Sequence, residues 1–238
     1  MSREFACKRE VELPATPEEV WQAVATTAGN SAWLFPSEID PDGRDAAVWD
    51  PPRHFVVRQQ SGDWFNALEF EIEGGDGSTT TLRYAHSGIF MDDWDTQYDA
   101  VQQHTDFYLH TLGQYLEHFQ GRAATYIGGG PGGLQGPAAS AAPDGFDQLK
   151  QALGVPAGVT SGDALTLTPE GPGPLDAVID YVSPNFLGAR TDDGLYRFFG
   201  RNAFGGPVGM SIHLFADDVD AEQVTKGWQT WLDSALGE

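Results

Sequence analysis

The sequence predicts an α+β protein made of two successive units, each with an antiparallel sheet closed by a helix. Three observations carry this prediction: segments that alternate apolar and polar residues, two amphipathic helical segments that each follow a set of such strands, and a run rich in glycine and proline between the two sets. A chain of 238 residues, 40% of them apolar, can form two cores. We therefore expect units at residues 1–121 and 144–238 and a linker at 122–143.

The first unit begins with a predicted strand and a predicted helix. Apolar residues occupy alternate positions of Phe5–Leu13, with Arg9 as the one interruption, which is typical of a half-buried strand. Thr16 is a good N-cap residue, and Glu19 lies three positions later, where it completes a capping box. Gly29 and Asn30 are expected to end this helix.

Three more strands and a long helix complete the first unit. The strand-like segments are His54–Gln59, Ala67–Glu73 and Thr79–Ser87, which predict an antiparallel meander. Alternate residues of the last two are mostly apolar, so the paired strands would present a continuous apolar surface. Residues 92–120 place aromatic and aliphatic side chains at helical spacing, and we expect this helix to cover that surface.

The second unit repeats the same order of elements. It opens with a short amphipathic helix containing Phe146 and Leu149, and it ends with a helix for which Asp220 is the predicted N-cap. Between them lie five strand-like segments, at 163–168, 177–183, 186–191, 194–200 and 208–215.

Charge and motifs exclude several classes of function. A formal charge of −22, from 35 acidic and 13 basic residues, should repel nucleic acid and anionic lipid, so neither partner is expected. No apolar run is long enough to span a bilayer and the N-terminus is charged, which predicts a cytoplasmic protein. The single cysteine, Cys7, is interpreted as a buried core thiol.

No cofactor, metal site or catalytic residue can be assigned from motifs. Three glycines at 128, 130 and 133 fit GxGxxG, but a proline interrupts them and no amphipathic helix follows directly. No histidine pair has the spacing of an HExxH zinc site, and no GxSxG nucleophile motif occurs.

Several stretches in the first half resemble one family. Residues 31–40, SAWLFPSEID, and 49–55, WDPPRHF, resemble the WxxPxxxxP and WxPPxxF stretches of the homologues of the activator of heat-shock-protein-90 ATPase, within the START-like (SRPBCC) superfamily. Further matching segments follow in order, at 81–88, 93–95 and 115–119. The resemblance covers residues 5–121. It implies a helix-grip fold, in which a curved antiparallel sheet grips a long C-terminal helix around a cavity, and residues 144–238 would be a degenerate copy.

The resemblance implies a site for a small apolar or aromatic molecule between sheet and helix, because such sites are concave and mostly apolar. Ordinary core packing is the alternative role for each residue of the expected lining. That lining consists of Trp21, Trp33, Phe35, Phe55, Trp64, Phe70, Tyr84, His86, Trp94, Tyr98, Tyr108 and Leu112.

Two other functions stay open at this point. A cyclase- or hydrolase-type enzyme could use His86 and Tyr84 in the same cavity, whereas strand alternation turns Arg83 away from it. The family name also implies a chaperone ATPase as a protein partner. The segment Pro41–Val48 is too short for the hairpin that family members carry there, which predicts a unit open on one side.

Overall fold

The computed structural model describes residues 3–75, 77–90, 93–130 and 133–237. The chain divides into two compact units, unit 1 (Met1–Ala123) and unit 2 (Ala124–Glu238). Each unit combines an antiparallel sheet with a long helix, so the predicted α+β class is confirmed. Within these ranges no helix is both long and apolar enough to cross a membrane.

Unit 1 contains a five-stranded antiparallel sheet with the order β1-β5-β4-β3-β2. Its strands are β1 (Arg3–Leu13), β2 (Val48–Asp50), β3 (His54–Ser61), β4 (Trp64–Gly74) and β5 (Thr80–Phe90). A two-residue turn joins β3 to β4, and Gly62 takes its left-handed backbone conformation at φ 60°. β2 has only three residues, too few for a visible alternation, so sequence patterns did not predict it.

Two short helices follow β1, and one of them departs from the prediction. The helix α1 (Pro17–Val24) has the expected capping box: the Thr16 amide donates to the Glu19 carboxylate at 2.8 Å. The expectation that Gly29 and Asn30 end this helix is wrong, because both lie inside a second helix, α2 (Thr27–Ser31). A Cβ atom at position 29 would lie 1.9 Å from the Gln22 carbonyl oxygen, so this glycine permits close packing of α2 on α1.

The long helix of unit 1, α3 (Trp94–His118), packs along β1. The Tyr98 hydroxyl donates to the Ala6 carbonyl and the Trp94 indole N–H donates to the Glu4 carbonyl, each at 3.0 Å. Residues 91 and 92, near the predicted start of this helix, lie outside the described residues. Among the described residues of α3, Thr105 is the first whose side chain is fully buried.

The aromatic core of unit 1 lies where α1 meets the sheet. Five rings form a continuous row of contacts, with successive centroids 4.9 to 5.9 Å apart. The row runs through Trp21, Trp49, Phe55, Phe70 and Tyr84. Edge-to-face and offset ring contacts of this kind add to the free energy of burying apolar area.

Unit 2 contains a larger antiparallel sheet with the path β6-β12-β11-β10-β9-β8, and β7 also pairs with β12. Its strands are β6 (Thr125–Ile127), β7 (Leu134–Gln135), β8 (Ala164–Leu167), β9 (Leu175–Val182), β10 (Phe186–Arg190), β11 (Gly194–Phe199) and β12 (Gly209–Leu214). Two helices, α4 (Gly145–Ala152) and α5 (Ala221–Leu236), complete it. Asp220 caps α5 by accepting from the Gln223 amide at 3.0 Å, as the sequence predicts.

The structure differs from the sequence prediction over residues 122–143. In the described part of this segment, β6 and β7 both pair with β12, and Ile127 and Leu134 are buried in the core of unit 2. Two apolar side chains in a glycine-rich run carry no periodicity, so composition alone indicated a linker. The boundary between the units falls after Ala123.

Candidate functional site

One face of the unit 1 sheet is turned toward α3, and the strand register decides which residues it carries. Arg9 of this face pairs with Asp106 of α3, which identifies the face as the helix-facing one. Arg9 is opposite Tyr84, and Leu68 is opposite His86. Residues directly opposite on neighbouring strands have their Cβ atoms about 5 Å apart. The register therefore brings polar and apolar side chains together in the middle of the sheet.

His86 forms a hydrogen-bonded pair with Asn66, the residue diagonal to it on β4. The His86 Nε2 atom lies 2.7 Å from Asn66 Oδ1, and the edge of the imidazole contacts the Phe5 ring at a centroid distance of 5.1 Å. Burial lowers the pKa of His86 to about 4, so the ring is neutral at physiological pH. Because the Asn66 amide is placed with its oxygen toward the ring, Nε2 carries the hydrogen and Nδ1 carries a lone pair.

Tyr84 lies two residues before His86 on the same strand and face. Burial is the main cause that raises the pKa of its hydroxyl, so the hydroxyl stays protonated. Its ring contacts Phe70 edge-on at 5.2 Å. The strand rise separates the backbones of Tyr84 and His86 by about 7 Å. The sheet therefore presents a hydrogen-bond donor and an acceptor side by side.

Both polar groups, one on Tyr84 and one on His86, are available for a further hydrogen bond. Among the described residues, the Tyr84 hydroxyl and His86 Nδ1 form no hydrogen bond. Asn66, Leu68, Tyr84 and His86 are all half-buried. We call these four residues the His86 site.

The first half of α3 buries its side chains only in part. No described residue of the helix before Thr105 is fully buried. The ion pair of Arg9 with Asp106 is partly exposed, with side-chain exposures of 28% and 45%. The hydrogen bond to Asp106 is the main cause that raises the pKa of Arg9. Hydrogen bonds, this ion pair and a ring contact between Tyr98 and Phe5, with centroids 6.5 Å apart, connect α3 to β1 here.

Burial divides the twelve residues predicted to line a ligand site. Five are fully buried and belong to the core of unit 1: Trp21, Trp33, Phe55, Phe70 and Leu112. Trp64, beside the β3–β4 turn, is 36% exposed. The other six are half-buried: Phe35, Tyr84, His86, Trp94, Tyr98 and Tyr108. A ligand-binding role for any of them stays a prediction.

Sequence reasoning missed two members of the His86 site. Asn66 and Leu68 lie on β4 at alternate positions, and Leu68 was recognised only as part of an apolar face. The register places both beside His86, but a sequence does not state which residues of two strands become neighbours. Arg9, which interrupts the apolar alternation of β1, was the visible signal that this face carries a polar group.

The opposite face of the sheet, which we call the outer face, is densely charged. Arg83 lies there, as alternation predicts, and donates to Glu10 and Glu73 at 2.7 Å each. It therefore takes no part in chemistry at His86. Lys8, Glu69 and Glu71 also line a groove of about 400 Å³ on this sheet.

Comparison with known proteins finds similar solved structures at low identity. CalU16 from Micromonospora echinospora is 16% identical over 49% of this chain and 86% of its own, with a TM-score of 0.36. The Aha1 dimer from Colwellia psychrerythraea is 17% identical over 48% and 96%, with a TM-score of 0.39. The di-domain ARO/CYC protein BexL is 12% identical over 98% and 99%, with a TM-score of 0.41.

No family model matches the chain, and no curated protein matches it. The structural similarities are too low to carry an argument about function.

Proposed function

We propose that unit 1 binds a small apolar or aromatic molecule at the His86 site, between its sheet and the first half of α3. The observation that carries this proposal is a neutral imidazole with an available lone pair, set among half-buried apolar and aromatic side chains. Binding sites for small molecules combine apolar walls with a few oriented polar groups. The resemblance of residues 5–121 to START-like helix-grip domains supports the same interpretation.

The polar groups of the site favour an uncharged ligand with a hydroxyl group. His86 Nδ1 can accept a hydrogen bond, and the Tyr84 hydroxyl can donate one. A carboxylate ligand would face a neutral imidazole and a protein of charge −22, and the neighbouring cation Arg9 is already paired with Asp106, so a carboxylate is disfavoured. A phenol or an aromatic hydroxyketone matches the site best.

A titration with the uncharged fluorescent probe N-phenyl-1-naphthylamine tests this proposal. We expect saturable binding to the wild-type protein and at least about tenfold weaker binding to Leu68→Trp, because the larger ring fills the site. Val182→Trp adds the same side chain at a position of unit 2 that is 39% exposed, and it should leave probe binding unchanged. Absence of saturable binding, or equal binding by Leu68→Trp, would rule out the site.

Catalysis by His86 is a second candidate that the pKa disfavours. A general base works best when its pKa is near the operating pH, and a pKa of about 4 makes His86 a weak base at neutral pH. A hydrogen-bonding role does not need a high pKa. No contact of the described residues favours a chaperone partner, which stays a prediction of the family resemblance.

A further inference from the structure

Three potential metal ligands meet on the outer face of the unit 1 sheet, away from the His86 site. His54 of β3 is opposite Glu71 of β4, and Glu69 lies two residues before Glu71 on the same face. One ligand atom from each of the three residues lies within 4.8 Å of the others. His54 Nε2 and Glu69 Oε1 are 2.8 Å apart.

Lys8 lines the same groove, but within the described residues neither glutamate of the cluster forms an ion pair with a lysine or an arginine. Arg83 is directly opposite Glu71 in the register, yet its guanidinium group binds Glu10 and Glu73 instead. Within the part of the chain that the structure describes, the Glu71 carboxylate forms no ion pair or hydrogen bond. Two carboxylates thus lie close together, and a bound cation would relieve their repulsion.

We propose that His54, Glu69 and Glu71 form a binding site for a divalent transition metal, with Zn²⁺ as the best match. An imidazole nitrogen favours Zn²⁺ and its neighbours in the first transition row over Mg²⁺ and Ca²⁺, which prefer oxygen ligands. Three protein ligands leave a coordination position open for water. This site is independent of the function proposed for the His86 site.

The geometry permits a metal after small side-chain rotations. Ligands about 2.1 Å from a Zn²⁺ ion are about 3.4 Å apart in a tetrahedral site. The 2.8 Å contact between His54 and Glu69 would widen slightly, and the other ligand atoms already lie within 4.8 Å. The His54 and Glu69 side chains are 31% and 41% exposed, so both can rotate. The groove of about 400 Å³, lined by Glu69 and Glu71, leaves room for water on the metal.

Calorimetric titration with Zn²⁺ tests the site, with Glu71→Gln and His54→Gln as variants. We expect one equivalent of Zn²⁺ on the wild-type protein and at least about tenfold weaker binding by each variant. Glu12→Gln is the matched control, because it removes one carboxylate from the same face without touching the cluster, and its affinity should be unchanged. Circular dichroism checks that all variants are folded.

The results distinguish a specific Zn²⁺ site from nonspecific binding of Zn²⁺ to an acidic surface. Stoichiometric binding that both cluster variants weaken, with a Zn²⁺-dependent change in the His54 imidazole signals by NMR, supports the site. Wild-type protein that binds no Zn²⁺, or cluster variants that bind as tightly as Glu12→Gln, would overturn it. The N-phenyl-1-naphthylamine titration should not change with Zn²⁺, so failure of either proposal is distinguishable from failure of the other.

Discussion

Units 1 and 2 have similar elements but differ in how completely the sheet and the helices pack. In unit 2 the helix-facing core is closed, and twenty buried residues form one cluster in which no member exceeds 9% exposure. In unit 1 the middle of the corresponding face carries Leu68, Tyr84 and His86, which are only half-buried. The comparison teaches that the order of elements does not decide how completely an α+β unit buries the helix-facing side of its sheet.

The closing helices account for the difference. In α5, Trp228 and Trp231 are buried, and Trp228 contacts the rings of Tyr196 and Phe198 on β11. The first half of α3 instead carries Asp95 and other acidic residues and has no fully buried side chain among those described. The tryptophans of α5 are thus fully buried, whereas Trp94 and Tyr98, the large aromatic residues in the first half of α3, are only half-buried.

The largest difference between the two units is expected in how much one ion pair of each contributes to the free energy of unfolding. Arg197 and Asp180 of unit 2 are 2% and 4% exposed in their side chains and 2.9 Å apart, whereas Arg9 and Asp106 of unit 1 are partly exposed. Asp180→Asn should lower the free energy of unfolding by about 3–5 kcal/mol, because a buried guanidinium loses its carboxylate. Asp106→Asn should cost at most about 1 kcal/mol.

Urea unfolding followed by circular dichroism measures both variants. Equal losses of stability would show that the two pairs experience the same environment, which the difference in burial does not allow.

Removal of a leucine side chain should also distinguish the two cores. Leu232 of α5 is fully buried, and Leu232→Ala should cost about 2–5 kcal/mol because it leaves a cavity. Leu68→Ala should cost less than half as much, because Leu68 is only half-buried and its removal exposes less apolar surface that had been buried. The same unfolding assay applies. A loss for Leu68→Ala as large as that for Leu232→Ala would mean that the His86 site is closed.

The pH dependence of stability should reveal the buried His86 ring. Its pKa is about 4 in the folded protein and 6.5 as a free side chain, so above pH 6.5 the ring is neutral in both states. Between pH 6.5 and 4 only the unfolded chain gains the proton, and stability falls as the pH drops. The loss is on the order of 2 kcal/mol when partial exposure is allowed for.

Thermal unfolding of wild type and His86→Gln between pH 7.5 and 4 isolates this contribution. The variant should lose less stability on acidification. Parallel curves for the two proteins would show that His86 titrates as an exposed histidine does.

Local patterns predicted most of the fold. The capping box of Thr16 and Glu19, the alternation of β1 and the N-cap at Asp220 depend on residues close in sequence, and all are present. The role of Gly29 was wrong because it depends on contact with Gln22 across two helices. Residues 122–143 were misread because their strands are stabilised by pairing with β12, far away in the chain.

The candidate sites were less predictable than the fold. His86 and Tyr84 were found because they share a strand, whereas Asn66 depends on the register of a second strand. The cluster of His54 with Glu69 and Glu71 has no sequence motif, because its members come from two strands and meet only through the strand register. Five of the twelve residues predicted to line the site are core residues. Aromatic character alone does not distinguish a residue that lines a ligand site from one that packs in the core.

The central claim is that unit 1 has an open ligand site and unit 2 a filled core, and methyl NMR during titration with N-phenyl-1-naphthylamine tests it most directly. Val57 and Leu68 are opposite each other on the helix-facing side of unit 1, and Leu232 is a fully buried reporter in unit 2. We predict saturable shifts that are largest at the methyl groups of Val57 and Leu68 and absent at Leu232. Shifts centred on Leu232, or no shifts at any of the three residues, would contradict the account.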